Sequence, residues 1–311
     1  MKSKFWVGAV IMSLLAVVIT ACGNGSAQSD GSKKVMVDGS STVFPIMEAV
    51  AEEYSAANPD VRATIGVSGT GGGFEKFIAG ETHISNASRP IKEEEKKLLE
   101  EKGIEYTEFK LALDGLSVVV NKENDWVDQL TIEELNKMWS ESSEVETWAD
   151  VREGWPEEEI KFFSPGSDSG TFDYFDEVVL QGEQIRRDAA LSEDDNVLVQ
   201  GVTGSKNGIG YFGYAYYLEN KDELKVVPIV NSKGEAVEPN QETIQSGKYE
   251  PLSRPLFIYV KHEALKNDAV YDFTKYTFEN AGKMAEAVGY VALPDSEYKD
   301  AIQKIKEIAG K

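Results

Sequence analysis

Three loops of this chain combine serine, threonine and glycine, and each loop leads into a predicted helix. They cover residues 39–42, 68–73 and 167–171. The amides at a helix N-terminus lack intrahelical partners and carry a partial positive charge, so they attract anions. Glycine allows close approach of the backbone to a ligand, and hydroxyl groups add neutral donors. If the fold brings these loops together, they form a site for a small oxyanion.

Each loop taken alone also fits a simpler interpretation, because Ser, Thr and Gly are ordinary residues of helix caps and loops. The spacing of the loops does not identify the anion. Anion binding therefore requires that these distant loops come together in the fold. Whether they do depends on the strands and helices that flank them.

A strand is predicted before each loop, at residues 34–37, 61–67 and 160–163. Further apolar, β-branched runs predict buried strands, and apolar residues at helical spacing predict helices between them. The additional strands are at 84–87, 111–121, 224–230 and 256–260, and the additional helices are at 92–102, 131–140, 268–282 and 295–309. This alternation predicts an α/β fold with mostly parallel sheets.

The composition narrows the class of protein. The chain has 311 residues, 41% of them hydrophobic, which is enough for about two domains with sizeable cores. Its net charge of −22 makes it a poor partner for nucleic acid. Two histidines and one cysteine leave little material for a zinc site or a Cys–His pair. We therefore predict no catalytic centre, no metal site and no cofactor.

The N-terminus has the pattern of an export signal. Lys2 and Lys4 precede a mostly apolar run at 5–19 that is too short to span a bilayer comfortably. The run ends at 19–22, Ile-Thr-Ala-Cys, which resembles a bacterial lipobox. We predict a lipoprotein signal peptide at 1–21, lipidation of Cys22 and a flexible tether at 22–33. The alternative is an ordinary signal peptide with a chance cysteine.

Five motifs in order carry a family resemblance, at 38–45, 66–73, 86–90, 167–171 and 207–211. Together they resemble the PstS family, the phosphate-binding lipoproteins of bacterial phosphate ABC transporters. The resemblance runs from about residue 35 to the C-terminus. It implies a periplasmic-binding-protein type II fold, with the ligand in a cleft between two α/β lobes joined by two crossover strands. The first lobe would combine 34–116 with 259–311, and the second would be 117–258.

The resemblance also implies which residues bind phosphate. The matching positions are Ser41, Thr42, Val43, Ser68, Ser169, Gly170 and Thr171. Ser40, Ser88 and Asn207 are further positions that are expected to line the cleft.

The chain departs from the family pattern twice. Well-known members have an arginine just before the third loop, where this chain has Pro165, and an aspartate in the motif at 86–90, where this chain has Ser88 followed by Arg89. We predict that Arg89 supplies the missing guanidinium, because its fork suits two phosphate oxygens. The alternative for Arg89 is an ion pair at the surface of an acidic protein.

The missing aspartate leaves the proton of phosphate without an obvious acceptor. Near neutral pH phosphate carries a proton and sulfate does not, so a buried acceptor selects phosphate. Asp168 is the first candidate, Asp38 the second, and a backbone carbonyl is also possible. Asp168 fits equally well as a helix cap that points away from the ligand.

The predicted function is therefore binding without catalysis. The protein would capture inorganic phosphate outside the cytoplasm of a bacterium, at the cell membrane, and deliver it to permease subunits with a cytoplasmic ATPase. One alternative is a receptor for another oxyanion, such as sulfate or molybdate. A second alternative is a secreted phosphatase, which the lack of a metal cluster and of a Ser–His–Asp grouping disfavours.

Overall fold

The computed structural model describes residues 33–167 and 169–311. The strands are β1 (Lys34–Gly39), β2 (Arg62–Ile65), β3 (Ile84–Ala87), β4 (Tyr106–Asn121), β5 (Lys161–Pro165), β6 (Ala190–Ser192), β7 (Gly208–Gly213), β8 (Leu224–Val226), β9 (Ile229–Val230), β10 (Ala236–Val237) and β11 (Ser253–Lys261). The helices are α1 (Phe44–Ala57), α2 (Gly69–Ala79), α3 (Glu93–Glu101), α4 (Ile132–Trp139), α5 (Trp148–Val151), α6 (Gly170–Phe175), α7 (Asp195–Thr203), α8 (Tyr214–Asn220), α9 (Gln241–Gln245), α10 (Asp268–Ala287) and α11 (Asp295–Ala309), with a π-helical turn at Asp176–Leu180 and a 3-10 turn at Ala264–Lys266.

The long strand β4 belongs to two sheets. Residues 106–115 of β4 pair with β11, and residues 116–121 pair with β7 and β8. On one side the order is β2-β1-β3-β11-β4, and on the other it is β4-β7-β5-β6. Two lobes therefore share one continuous strand, which changes partners beside the predicted boundary at residue 116.

The second connection lies at the start of β11. The amide of Leu116 donates to the Leu252 carbonyl at 2.9 Å, and from Ser253 onward β11 pairs with the first-lobe part of β4. All of β11 is therefore in the sheet of the first lobe, although the sequence prediction placed this boundary at residue 259. An apolar run marks where a strand is buried, but it does not show which sheet the strand joins.

The first lobe has helices on both faces of its sheet. Side chains along β11 alternate: Phe257 and Tyr259 join the core under α2 and α3, whereas Ile258 and Val260 join the core under α1 and α10. In the second lobe, Phe175 stacks on Tyr211 with ring centroids 3.8 Å apart. The opposite face of that lobe packs α7 against Val119 and Phe212. Each lobe therefore has its own hydrophobic layers.

The α/β class is correct, but the sheets are mixed rather than mostly parallel. β1 runs parallel to β2 and β3, and β5 runs parallel to β6 and β7. β4 and β11 are antiparallel to each other and to their other neighbours. Across residues 33–167 and 169–311, no helix has the length and apolar character needed to cross a bilayer. The predicted signal peptide, Cys22 and most of the tether lie outside the described residues.

Candidate functional site

The three serine- and glycine-rich loops meet between the lobes. The loop after β1 is central, and the amide of Ser68 in the second loop donates to the Gly39 carbonyl at 3.1 Å. From the opposite lobe, Gly170 packs so closely on the first loop that an added Cβ would lie 3.0 Å from the Thr42 Cα. Segments that are distant in sequence therefore contribute to one site.

The first loop depends on Gly39, whose φ of +144° is rare for residues with a side chain. A Cβ at this position would collide with the backbone of Asn86 on β3. The next amide, that of Ser40, donates to the Asn86 carbonyl at 3.0 Å. Ser40 and Val43 are buried, so they position the loop, and Val43 precedes the first turn of α1.

The third loop leads into α6, which begins at Gly170. The Ser169 hydroxyl caps this helix by accepting a hydrogen bond from the Thr171 amide at 3.2 Å. One turn later, Asp173 accepts a hydrogen bond from the Ser41 hydroxyl at 3.2 Å, across the gap between the lobes. Asp168 lies outside the described residues, so its two predicted roles stay predictions.

A cleft of about 390 Å³ opens where the loops meet. The first lobe contributes Ser41 and Val67 to its lining, and the second contributes the segment 169–171 from the third loop. The remaining lining includes Glu193 and Asp195 from the second lobe, and also Tyr216 and Tyr290. The walls combine backbone amides, hydroxyl groups and carboxylates.

Asp38 has two partners in the first lobe. Its carboxylate accepts hydrogen bonds from the Ser68 hydroxyl and, at 2.6 Å, from the Lys76 ammonium group. Asp38 is 7% exposed, so its carboxylate is largely shielded from water, whereas the Lys76 side chain is 40% exposed. The structure therefore disfavours Asp38 as an acceptor for a ligand proton. Since both donors of Ser68 are bonded inside the lobe, Ser68 holds the second loop in place.

The guanidinium beside the first loop is that of Arg254, which the sequence analysis missed. Its Nη2 donates to the Thr42 hydroxyl at 3.2 Å, and its Nη1 donates to Glu177 of the second lobe at 3.1 Å. The guanidinium lies over the Tyr174 ring, 3.8 Å from the centroid. Because Arg254 contacts both lobes at the start of β11, it can couple the first loop to the position of the second lobe.

Asp114 neutralises Arg254 from the neighbouring strand. The two residues are direct register partners of β4 and β11, and Arg254 Nε donates to Asp114 at 3.4 Å. Burial raises the pKa of Asp114, and the positive charge of Arg254 opposes that shift. A sequence signal was available, because Asp114 lies inside the apolar strand predicted at 111–121 and Arg254 lies two residues before the strand predicted at 256–260.

Arg89 occupies a different place from the one predicted. Its guanidinium forms a bidentate pair with Glu95 of α3, at 2.7 and 2.9 Å. A further bond goes to the Pro90 carbonyl, and the Phe74 ring lies 5.6 Å away. The geometry matches the ion-pair alternative, in which both terminal nitrogens are bonded within the first lobe. A phosphate role for Arg89 remains a prediction, and it requires this pair to open.

Ser88 and Asn207 are placed apart from the cleft lining. The Ser88 amide and hydroxyl bond to the Thr70 hydroxyl at 3.2 Å, which links β3 to the first turn of α2. Asn207 precedes β7 at the far end of the second lobe, where it bonds Trp148 at 3.2 Å and Glu158 at 2.8 Å. The structure places Asn207 away from the cleft, which lies at the other end of β7, at Gly213.

Comparison with known proteins agrees with this architecture. The family model of the PBP superfamily domain matches residues 24–281. The phosphate-binding protein PstS of Staphylococcus haemolyticus is 47% identical over 99% of this chain and 98% of its own length. The corresponding protein of Staphylococcus saprophyticus is 48% identical over 95% of this chain and 92% of its own length.

A solved structure of a related protein has a similar fold. The crystal structure of a possible phosphate-binding protein from Planctomyces limnophilus is 47% identical, with a TM-score of 0.85. The match covers 88% of this chain and 98% of that one. The chain belongs to the PBP superfamily and, within it, to the PstS family of phosphate-binding proteins.

Proposed function

We propose that this protein is a receptor that captures inorganic phosphate in the cleft between its lobes and delivers it to the permease of an ABC transporter. The observation that carries the proposal is the convergence of the three loops. Ser41 and Thr42 face the third loop, at 169–171, across a gap small enough for Gly170 to touch Thr42. Amides and hydroxyl groups from both lobes can surround a tetrahedral anion there.

The cleft is expected to close around the anion, because the hydrogen-bond donors come from both lobes. An anion bonded from both lobes stabilises the closed arrangement over any open one, because only the closed form makes the full set of hydrogen bonds. Each hydrogen bond to a charged group contributes about 1.5–3 kcal/mol. Surface charges are screened beyond about 8–10 Å at physiological salt. The donors in contact therefore outweigh the net charge of −22.

The proposal includes a location. Lipidation of Cys22 would hold the receptor at the outer face of a bacterial membrane, close to a permease that has a cytoplasmic ATPase. The support is the lipobox-like sequence at 19–22. The tether at 22–33 would give the lobes room to reach the permease.

Calorimetry with phosphate, arsenate and sulfate tests the ligand. We expect phosphate to bind at a single class of site, and a large excess of sulfate to fail to displace it. Displacement by sulfate would instead favour a general oxyanion receptor.

Small-angle scattering tests closure of the lobes. Phosphate should reduce the radius of gyration, and an unchanged radius at saturation would contradict closure of the two lobes around the anion. Sustained phosphate release from a monoester by the purified protein would revive the phosphatase alternative.

A further inference from the structure

A second cavity lies at the end of the first lobe that is far from the cleft. It is formed where β3 begins, where β11 ends and where the chain leaves α2 and α3. Its volume is about 880 Å³, which exceeds that of the cleft between the lobes. The described lining includes no residue of the five sequence motifs, so phosphate capture in the cleft does not account for this cavity.

The cavity is lined by lysines that have no acidic partner. Lys102, Lys261 and Lys266 all contribute to it. Among the residues that the structure describes, none of these three forms an ion pair, although the chain has 54 acidic residues against 32 basic ones. Other lysines of the same lobe do pair with carboxylates. The cavity therefore collects unpaired positive charge in an acidic protein.

Backbone carbonyls hold two of these lysines in place. Lys261 Nζ donates to the Thr82 carbonyl at 2.8 Å, and Lys102 Nζ donates to the Ile78 carbonyl at 3.1 Å. Lys266 makes no side-chain hydrogen bond to any residue within 33–167 and 169–311. Because an ammonium group has three donors, each of the three lysines keeps at least two for a ligand.

One wall of the cavity has polar groups whose bonding is incomplete. Burial lowers the pKa of Lys261; Glu263 opposes this shift and Lys102 reinforces it. An anion in the cavity would therefore stabilise the charged form of Lys261. Thr82 also lines the cavity and is 4% exposed, and its hydroxyl group has no hydrogen-bond partner in the described part of the chain. A buried hydroxyl group without a partner costs free energy.

The rest of the lining combines two acids with apolar side chains. Glu105 lies 3.6 Å from Nδ1 of His262, and Glu263 is exposed at the rim. Ile104 and Ile308 contribute half-buried apolar surface. A cationic group of side chains beside an apolar wall suits an amphiphilic molecule with an anionic headgroup.

The cavity lies next to the point where the chain enters the first lobe. The Met36 amide donates to His83 Nδ1 at 3.0 Å, and the His83 amide donates to the Met36 carbonyl at 2.9 Å. Since Met36 is in the first half of β1, the tether at 22–33 arrives at this end of the lobe. Its 12 residues span at most about 40 Å. If Cys22 carries acyl chains, β1 begins within that distance of the membrane.

We propose that this cavity binds the headgroup of an anionic phospholipid and thereby holds the first lobe against the membrane. The inference goes beyond phosphate capture and takes only the location from the proposed function. Lys102, Lys261 and Lys266 would donate to the free oxygens of the lipid phosphodiester, and the apolar wall would contact its glycerol and first methylene groups. The acids on distant surfaces are screened beyond about 8–10 Å, so the net charge of −22 does not prevent this contact.

The two histidines make the cavity observable, because both line it and the chain has no others. The test follows their imidazole signals by NMR in the mature chain with Cys22→Ser and without a histidine tag. Dihexanoyl phosphatidylglycerol, below its micelle concentration, should shift both signals until the site is saturated. Dihexanoyl phosphatidylcholine should bind at least about tenfold more weakly, because its headgroup is zwitterionic. Inorganic phosphate should leave both signals unchanged while it binds in the cleft.

A double variant tests the lysines, with a matched control. Lys102→Gln combined with Lys266→Gln should weaken phosphatidylglycerol binding at least about tenfold, because two charge-assisted contacts are lost. Lys221→Gln combined with Lys233→Gln removes the same charge from exposed positions of the second lobe and should bind the lipid like the wild type. Both double variants should keep the wild-type affinity for phosphate, which shows that they fold.

Three results would overturn the proposal. The first is the absence of any histidine shift with phosphatidylglycerol. The second is equal affinity for phosphatidylcholine, because the negative charge would then not be recognised. The third is an equal response to inorganic phosphate, which would make the cavity a second site for the free anion. Failure of the wild type to bind phosphate in the cleft would instead remove the proposed function and leave the lipid site standing.

Discussion

The two sides of the cleft differ in how their charged side chains are bonded. In the first lobe, Ser68 bonds Asp38, Asp38 bonds Lys76, and Arg89 bonds Glu95. In the second lobe, α6 has only six residues and passes directly into a π-helical turn, and the carboxylate of Asp195 receives no hydrogen bond from the described residues. One side is a bonded platform, and the other is built from short elements with spare bonding capacity.

This difference indicates that the two lobes have different roles in binding. The platform holds the first loop in place, because Ser68 and Lys76 are both bonded to Asp38, just before that loop. The second lobe can move without breaking that network. Its side-chain hydrogen bonds to the first lobe include those of Asp173 with Ser41, Glu177 with Arg254 and Gln245 with the Ala292 carbonyl. We therefore expect changes in the platform to affect stability and binding together, and changes in the second lobe to affect mainly binding.

Two glycine substitutions give the largest expected effects and test this division directly. Gly39→Ala forces a side chain into the backbone of Asn86 at a φ of +144°, so it should lower the free energy of unfolding by roughly 3 kcal/mol or more and abolish phosphate binding. Gly170→Val should weaken binding at least about 100-fold by holding the lobes apart, with almost unchanged stability. Urea unfolding and calorimetry measure both. Equal loss of stability in the two variants would refute the comparison.

Substitution of Arg254 should have the next largest effect, because its side chain bonds groups of both lobes. Arg254→Gln leaves Asp114 buried and unpaired, which should cost about 3–5 kcal/mol of stability, and it should weaken phosphate binding by about 1.5–3 kcal/mol. The double variant with Asp114→Asn should recover most of the stability but not the affinity. Full recovery of both would mean that Arg254 has only a structural role.

Asp195 should make stability depend on pH. Burial raises its pKa in the folded protein to about 6, above the ordinary value of 3.8, so folding favours the protonated form. The resulting stabilisation is present in acid and is lost as the pH rises from about 4 to about 6. Asp195→Asn should therefore be more stable than the wild type at about pH 7.5, by about 1–3 kcal/mol, and equal to it near pH 4. A constant difference across this range would argue against the raised pKa.

Substitution of Arg89, which lies in the platform, should affect phosphate binding much less than substitution of Arg254. If its bidentate pair with Glu95 persists in the bound protein, Arg89→Gln should change phosphate affinity by less than about threefold. Calorimetry measures the phosphate affinity of this variant. Glu95→Gln is the control, because it releases the Arg89 guanidinium from its ion pair. A loss above about 30-fold in Arg89→Gln alone would restore the assignment made from sequence.

Cys22→Ser should leave phosphate affinity unchanged. If Cys22 carries the acyl chains, the variant should leave the membrane fraction and appear in the medium or the periplasm, since loss of the acyl chains removes the anchor. Fractionation and immunoblotting measure this distribution. Continued retention at the membrane would contradict lipidation at this cysteine.

The elements whose signal is local could be predicted from the amino-acid sequence alone. Hydrophobic periodicity and turn residues placed β1, β3, α4 and α11 within a few residues of their observed bounds. It also identified the three loops, because Ser, Thr and Gly before a helix describe a local backbone geometry. The ordered motifs then carried the family resemblance, which extends over almost the whole chain.

Which charged side chains pair with each other depends on the tertiary structure. Arg254 meets Asp114 only because the register of β11 on β4 sets them opposite each other, 140 positions apart in the chain. Asp195 reaches the cleft because β5 and β6 run parallel and end at one edge. Arg89 is bonded to Glu95 because α3 begins just after the loop that follows β3. Pairing of charged groups depends on distances between strands and helices, and residue types and spacing along one chain do not contain those distances.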